Sequence, residues 1–320
     1  MRKLSYLFSL LVLSIVCGGT AWADDGKYYS AGTVVTSVDQ IKEGVDYALK
    51  GTGESPCSST YLNVVMDGNG GSASLTSDCI YQFESAGTVD GKPAFYLKQK
   101  SNGMYLRKPG KPTDATFGYP NEGTPDGWGS DYLALTSDKN DAWQFWAGVA
   151  QSTDENDPFY YNKGTEGKEV MFVFTCTTVL TGDDAGDGAY RYLSSWAAGH
   201  NIMQYVDTNV WNLWTDISEI VGTAKLTLLL SKLLPAGPEG TFTPGVNPGA
   251  VSQDAYNKLN EVYKKCQAFI DGGGTSEDEA NALCVELQAA YDNCKNATVM
   301  VEAGKYYFIT GNKGRSNTTG

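Results

Sequence analysis

The sequence is poor in several things whose absence narrows what it can do. It holds one histidine, His200, so multi-histidine metal sites are excluded and a histidine-based triad has a single candidate base. Basic residues are scarce: 24 Lys and Arg stand against 37 Asp and Glu, a formal charge of −13. A chain this acidic lacks the basic patch that releases counterions from a phosphate backbone, which argues against a nucleic-acid partner. No CxxC pair occurs, so neither zinc nor thioredoxin-type chemistry is signalled. No apolar run reaches the ~20 residues of a membrane-spanning helix. Charged residues are only 19% of the chain against 41% apolar, which excludes a disordered polyelectrolyte. What is abundant is Gly (37) and Tyr (20), a mix that favours short strands and many turns. A length of 320 residues is a prior for two domains.

Residues 1–23 read as a signal peptide. Arg2 and Lys3 form a basic start, Leu7 to Val16 a short apolar stretch, and Ala21-Trp22-Ala23 an A-x-A cleavage site. The rival reading, a lipoprotein signal at Cys17, is weakened by Val16, where a small residue belongs. Cleavage removes two positive charges and no negative ones, moving −13 to −15. The expected product is secreted or held at the cell surface. In that oxidising compartment the six cysteines beyond Cys17 allow disulfides.

Residues 47–215 carry a four-part pattern three times. The first copy runs 47–50, 60–63, 74–78 and 80–83. The second runs 95–98, 104–107, 134–138 and 142–145, and the third 171–174, 191–194, 202–205 and 210–213. Each part is β-branched or aromatic and bounded by turn residues, the mark of a strand. In the fourth part, period-2 alternation puts Tyr81 and Phe83, or Trp143 and Phe145, on one face. Three four-stranded repeats in this order resemble the β-trefoil fold, including the ricin-type lectins with their Gln-x-Trp strands. The resemblance covers about 36–221 and is specific in repeat count and strand order. It is weak in letters: of Gln82-Phe83-Glu84 and Gln144-Phe145-Trp146, only the second is a literal Gln-x-Trp. It implies a trefoil with a glutamine that helps bind sugar. The family's aspartate near the end of the first strand has no counterpart after Leu49-Lys50, Leu97-Lys98 or Val173-Phe174.

From Gly222 the texture becomes helical. Leu226, Leu229, Leu230 and Leu233 have helical spacing up to Pro235, although a run this short also admits a strand over 225–230. After a Pro- and Gly-rich loop, Ser252 caps a second helix that ends at Gly272-Gly273-Gly274. Ser276-Glu277-Asp278-Glu279 reads as a capping box opening a third. Three such helices are expected to pack as a small antiparallel bundle. The Thr275–Glu279 start, with Leu287, Ala290, Tyr291 and Cys294 at the finish, is similar to a FIVAR-type module, which implies a spacer or adhesion repeat of bacterial surface proteins. Val301–Gly311 aligns without gaps on Ile41–Gly51, as if a second β domain began there. The expected organisation is a signal peptide at 1–23, a β-trefoil domain at 24–221, a helical bundle at 222–298, and at 299–320 the first strand of another domain in a longer modular protein.

Candidate functional residues follow from these placements. Trp143, Trp146, Trp211 and Trp214 fall on closing strands, where packing is their default role. Trp128 and Trp196 lie instead in Gly-bearing connections, where an aromatic face can stack on a sugar ring as readily as fold back onto the barrel. Asp126, Asp131, His200 and Asn201 are the nearby hydrogen-bonding candidates. Asp183, Asp184 and Asp187 crowd one Gly-rich loop and form a weak calcium candidate, without EF-hand spacing and more simply an acidic surface turn. His200 has Ser194 and Ser195 nearby but no Gly-x-Ser-x-Gly elbow, so no enzyme activity is expected. The expected disulfides are Cys57–Cys79 and, from helix heights, Cys266–Cys284. The leading expectation is a non-catalytic carbohydrate-binding module without cofactor, its partner a glycan or surface polysaccharide. The alternative is a structural or protein-adhesion spacer array that presents a C-terminal domain or meets a host or cell-surface protein.

Overall fold

A computed structural model describes residues 27–53, 59–64, 71–107, 131–132, 135–150, 157–161, 165, 168–177, 192–195, 201–204 and 210–300. Contacts divide the chain into two units, Met1–Ile220 and Val221–Gly320, with the division one residue before the boundary expected from the change in texture. The structure is mixed β and α: strands make up the first unit and helices the second.

The first unit holds fourteen strands among the described residues: β1 (Tyr29–Val34), β2 (Asp46–Gly51), β3 (Tyr61–Leu62), β4 (Gly71–Ser72), β5 (Ile80–Val89), β6 (Lys92–Gln99), β7 (Tyr105–Leu106), β8 (Asp131–Tyr132), β9 (Leu135–Thr136), β10 (Phe145–Val149), β11 (Phe172–Cys176), β12 (Tyr192–Ser195), β13 (Asn201–Gln204) and β14 (Trp211–Glu219). All pairings are antiparallel. Strands β2, β5, β6, β10, β11 and β14 pair in that order, and β14 pairs back to both β11 and β2, so six strands close a ring. Closure leaves these six without a free edge. Outside the ring, β3–β4 attaches to β2, β7–β9 to β6, and β12–β13 to β11.

Inside the ring sits one apolar cluster. Leu49, Leu97 and Phe174 come from β2, β6 and β11, and Leu62, Leu106 and Leu193 from the three attached strands. Tyr81, Trp143 and Trp211 join them from the closing segments, as expected for packing tryptophans. The polar tips of two rings are satisfied: the Trp211 indole donates to Leu193 O at 2.9 Å, and the Tyr81 hydroxyl accepts from Val64 N–H at 3.1 Å. The β5–β6 hairpin turns on Asp90-Gly91, both at positive φ (48° and 75°), the backbone that a two-residue turn needs between right-twisted strands.

Several details differ from the sequence reading. Residues 74–78 do not form the third strand of the first copy; that strand is β4, and Ser77–Cys79 is a 3-10 turn. β1 and β8 were not anticipated. The register also departs from the letters. Tyr47 stands opposite Tyr81 and Phe172 opposite Trp211, but Phe95 stands opposite Phe145 rather than Trp143. Lys50 and Lys98 oppose Tyr61 and Tyr105, and it is Thr175, not Phe174, that opposes Tyr192. The third copy therefore lines up one residue later than its letters suggest, with Phe172, Phe174 and Cys176 turned into the ring cluster and Met171 and Val173 into another.

The second unit begins with α1 (Gly222–Leu233), a helix and not a strand. A one-turn α2 (Gly237–Thr241) with Pro238 at its start precedes α3 (Gln253–Asp271) and α4 (Glu277–Asn296). Ser252 accepts from Ala255 N–H and Ser276 from Glu279 N–H, so both N-caps form where expected. Three acidic residues in the first turn of α4 suit the helix dipole. Ala255, Leu259, Val262 and Cys266 on α3 meet Ala280, Cys284, Leu287, Ala290 and Cys294 on α4, and Leu226 and Leu229 of α1 complete the core. Val251 bridges to Pro244 and Thr298, and Val299 N–H donates to Ala250 O at 2.7 Å, so 298–299 belong to this unit. The strand expected beyond 300 lies outside the described residues.

The expected Cys266–Cys284 bond is not formed: both are free thiols in one apolar core, near enough to interact electrostatically. Apolar neighbours satisfy the packing of both without a covalent link. Cys79 is likewise a buried free thiol held by Thr76 Oγ1 (3.4 Å) and Ser74 O (3.7 Å), and its expected partner Cys57 lies outside the described residues.

Candidate functional site

Trp128, Asp126, Trp196 and His200 lie outside the described residues, as do Asp183, Asp184 and Asp187 and the signal segment 1–23. Asp131 and Asn201 are described in backbone, and their placement is informative. Asn201 stands opposite Ser195 on β12, whereas Asp131 stands opposite Met203 on β13. The segment that follows Trp128 is therefore hydrogen-bonded to the strand that follows Trp196. Asp131 and Asn201 map to positions two residues apart along β13, roughly 7 Å. Strands far apart in sequence, β8 and β12–β13, thus form one small three-stranded patch.

A second polar constellation lies on the outer wall of the ring, where β5, β6 and β7 meet the turn before β10. Period-2 alternation on β5 sends Phe83 inward and Glu84 outward. The Tyr105 hydroxyl donates to Glu84 Oε2 at 2.7 Å, and Lys139 forms an ion pair with Glu84 Oε1. Lys139 Nζ also lies 4.7 Å from the centre of the Tyr96 ring, and Lys98 Nζ 5.3 Å from that of Tyr105. The two rings meet edge to face at 6.0 Å, and Gln144 Nε2 donates to the Tyr96 hydroxyl at 2.8 Å. Glu84 and Lys139 remain partly open to water, with side chains 36% and 43% exposed. Hydrogen bonds from Lys139 and Tyr105 hold the Glu84 carboxyl below the usual carboxylate range, so it is ionised at neutral pH. The same bond to Glu84 raises Tyr105.

Sequence reasoning missed this group, although a signal was present: the alternation that buries Tyr81 and Phe83 leaves Gln82 and Glu84 on the opposite face. It also looked for an aspartate only at the end of each first strand. Asp46 stands at the start of β2, accepting from Gln82 Nε2 at 2.9 Å and pairing with Lys100. Among the described residues no group of three or more His, Cys, Asp or Glu side chains is arranged to hold a metal ion, and no helix is long and apolar enough to cross a membrane. Comparison with models of protein families finds no match, and neither does comparison with curated protein sequences.

Proposed function

We propose that this chain is a non-catalytic, exported carbohydrate-binding module: a β-trefoil of the ricin-type lectin kind, spaced by a FIVAR-like helical bundle and displayed in the secreted or cell-surface compartment. The six-strand ring with an antiparallel strand pair attached to each of β2, β6 and β11 supports the trefoil reading. The single observation that supports the binding reading is the pairing of β8 with β13, which sets the backbones of Asp131 and Asn201 in one three-stranded patch. Asp126, Asp131, His200 and Asn201 then supply hydrogen bonds to sugar hydroxyls while the two indoles supply stacking faces. The partner is a glycan or surface polysaccharide.

The test is a glycan array probed with the whole chain and with Trp128→Ala and Trp196→Ala. Each substitution is expected to weaken binding about tenfold, on the order of 1.4 kcal/mol. Arrays on which both variants match the parent would remove the stacking role, and an array the parent does not bind would leave the spacer reading in its place.

A further inference from the structure

Among the described residues five cysteines are buried free thiols: Cys79, Cys176, Cys266, Cys284 and Cys294. Cys79 and Cys176 lie in two separate clusters of the first unit, whereas the other three share the helical core.

Helices α3 and α4 are joined by a short turn, so residues equally far from that turn share a layer of the core. Cys266 stands six residues before the cap Gly272, and Cys284 eight residues after the cap Ser276. At about 1.5 Å per residue the two lie within about 3 Å of the same height. Cys294, ten residues further along α4, is about 15 Å below that level. Glu286 of α4 is held between Lys258 and Lys265 of α3, at 3.5 and 3.3 Å, a register in keeping with this count. Cys266, Cys284 and Ala280 are all small and buried, which lets the two helices approach closely at this end of the hairpin. Burial raises the Cys266 thiol, and the neighbouring Cys284 raises it further, so the two sulfurs lie near each other.

We infer that Cys266 and Cys284 form a redox latch: a small external disulfide oxidises the pair to a bond that ties α3 to α4, and reduction releases it. The free thiols described above are its open form. One cysteine thiolate attacks the oxidant, of the oxidised glutathione class, and expels one half of it as a thiol. The other cysteine then attacks the mixed disulfide and expels the second half. One protein S–S bond replaces the oxidant's own, and the electron pair and both cysteine protons leave with the two small thiols. Both sulfurs are shielded and protonated at neutral pH, so exchange proceeds when α3 and α4 part. Once made, the bond closes a loop of about 19 residues and opposes further parting. The latch acts on the helical unit and needs no ligand, so it stands apart from the carbohydrate-binding reading.

The experiment incubates the whole chain with oxidised glutathione at about pH 8, in water and in subdenaturing urea, and digests it without reductant. A glutamyl-specific protease cuts after Glu277, Glu279 and Glu286, which separates the three helical cysteines. The peptides holding Cys266 and Cys284 are expected as one cross-linked species, formed at least fivefold faster in urea than in water. In calorimetry the helical transition should rise by roughly 10 °C, and dithiothreitol should return it to its starting value. Cys294→Ala should keep the cross-link, and Cys284→Ala should lose it and leave glutathione on Cys266. Peptides that stay separate after oxidation in urea overturn the latch, and so does a bond from either cysteine to Cys294. A Cys266–Cys284 bond that leaves the helical transition unmoved overturns it as well, because such a bond restrains nothing.

Discussion

Glu84 shows how one side chain's protonation is tied to its neighbours. Its carboxyl is lowered first by the hydrogen bond from Lys139 and then by that from Tyr105, so the interaction is intact at neutral pH and is lost as pH falls through the lowered value. The difference in melting temperature between the parent and Glu84→Gln is therefore expected at pH 7 and should shrink as pH falls through the lowered value, below which both forms carry a neutral group. A difference that persists in acid would mean the carboxylate contributes shape rather than charge. The thiols behave oppositely. Burial pushes Cys79 and Cys266 up to about 11, so both are protonated and shielded at neutral pH. In the reduced, folded chain they should resist iodoacetamide at about pH 8 and react only in denaturant, as intact-mass measurement will report. Residue roles were unevenly legible. Core tryptophans announced themselves by their place on closing strands, whereas Glu84 and Lys139 lie 55 positions apart and meet only through β pairing.

At the scale of elements, local chemistry was readable and register was not. Ser252, Ser276 and the glycines at 272–274 act within a turn of their own helix, so α3 and α4 were legible to within a residue or two. β5 and β6 are long enough to show alternation, but β4 and β8 have two residues each and carry no period. β1 (Tyr29–Val34) has an irregular burial pattern because it pairs only with β14, at the edge of the sheet. The offset of β10 against the letters is a tertiary choice: a two-residue slide keeps the same face inward, so no single-strand pattern reveals it. One turn can be tested directly. Gly91 sits at φ 75° in the β5–β6 hairpin, and a Cβ there meets no atom within 4 Å, so the cost of Gly91→Ala is purely conformational. It is expected to destabilise the first unit by about 1–2 kcal/mol in denaturant titration, with binding at neutral pH unaffected. Gly148→Ala should cost more, because Phe159 must leave its place.

At the scale of the molecule, the change from aromatic, turn-rich sequence to leucine-rich sequence marked the division at Ile220 because each texture builds its own core. The ring cluster and the helical cluster share no residue. A helical unit this small has a single core that supplies no more than about 3–5 kcal/mol. Leu259 is fully buried at its centre, and Leu259→Ala is expected to cost about 2–5 kcal/mol, comparable with the whole stability of that unit. The variant should therefore lose the far-ultraviolet helical signal at room temperature while the near-ultraviolet signal of Trp143 and Trp211 persists, and calorimetry should show the β transition at its parental temperature. The reciprocal variant, Leu97→Ala in the ring core, should lower the β transition and leave the helical one in place. A shift of both transitions in either variant would show that the two units unfold as one, and the separation of cores would then not amount to separation of stability.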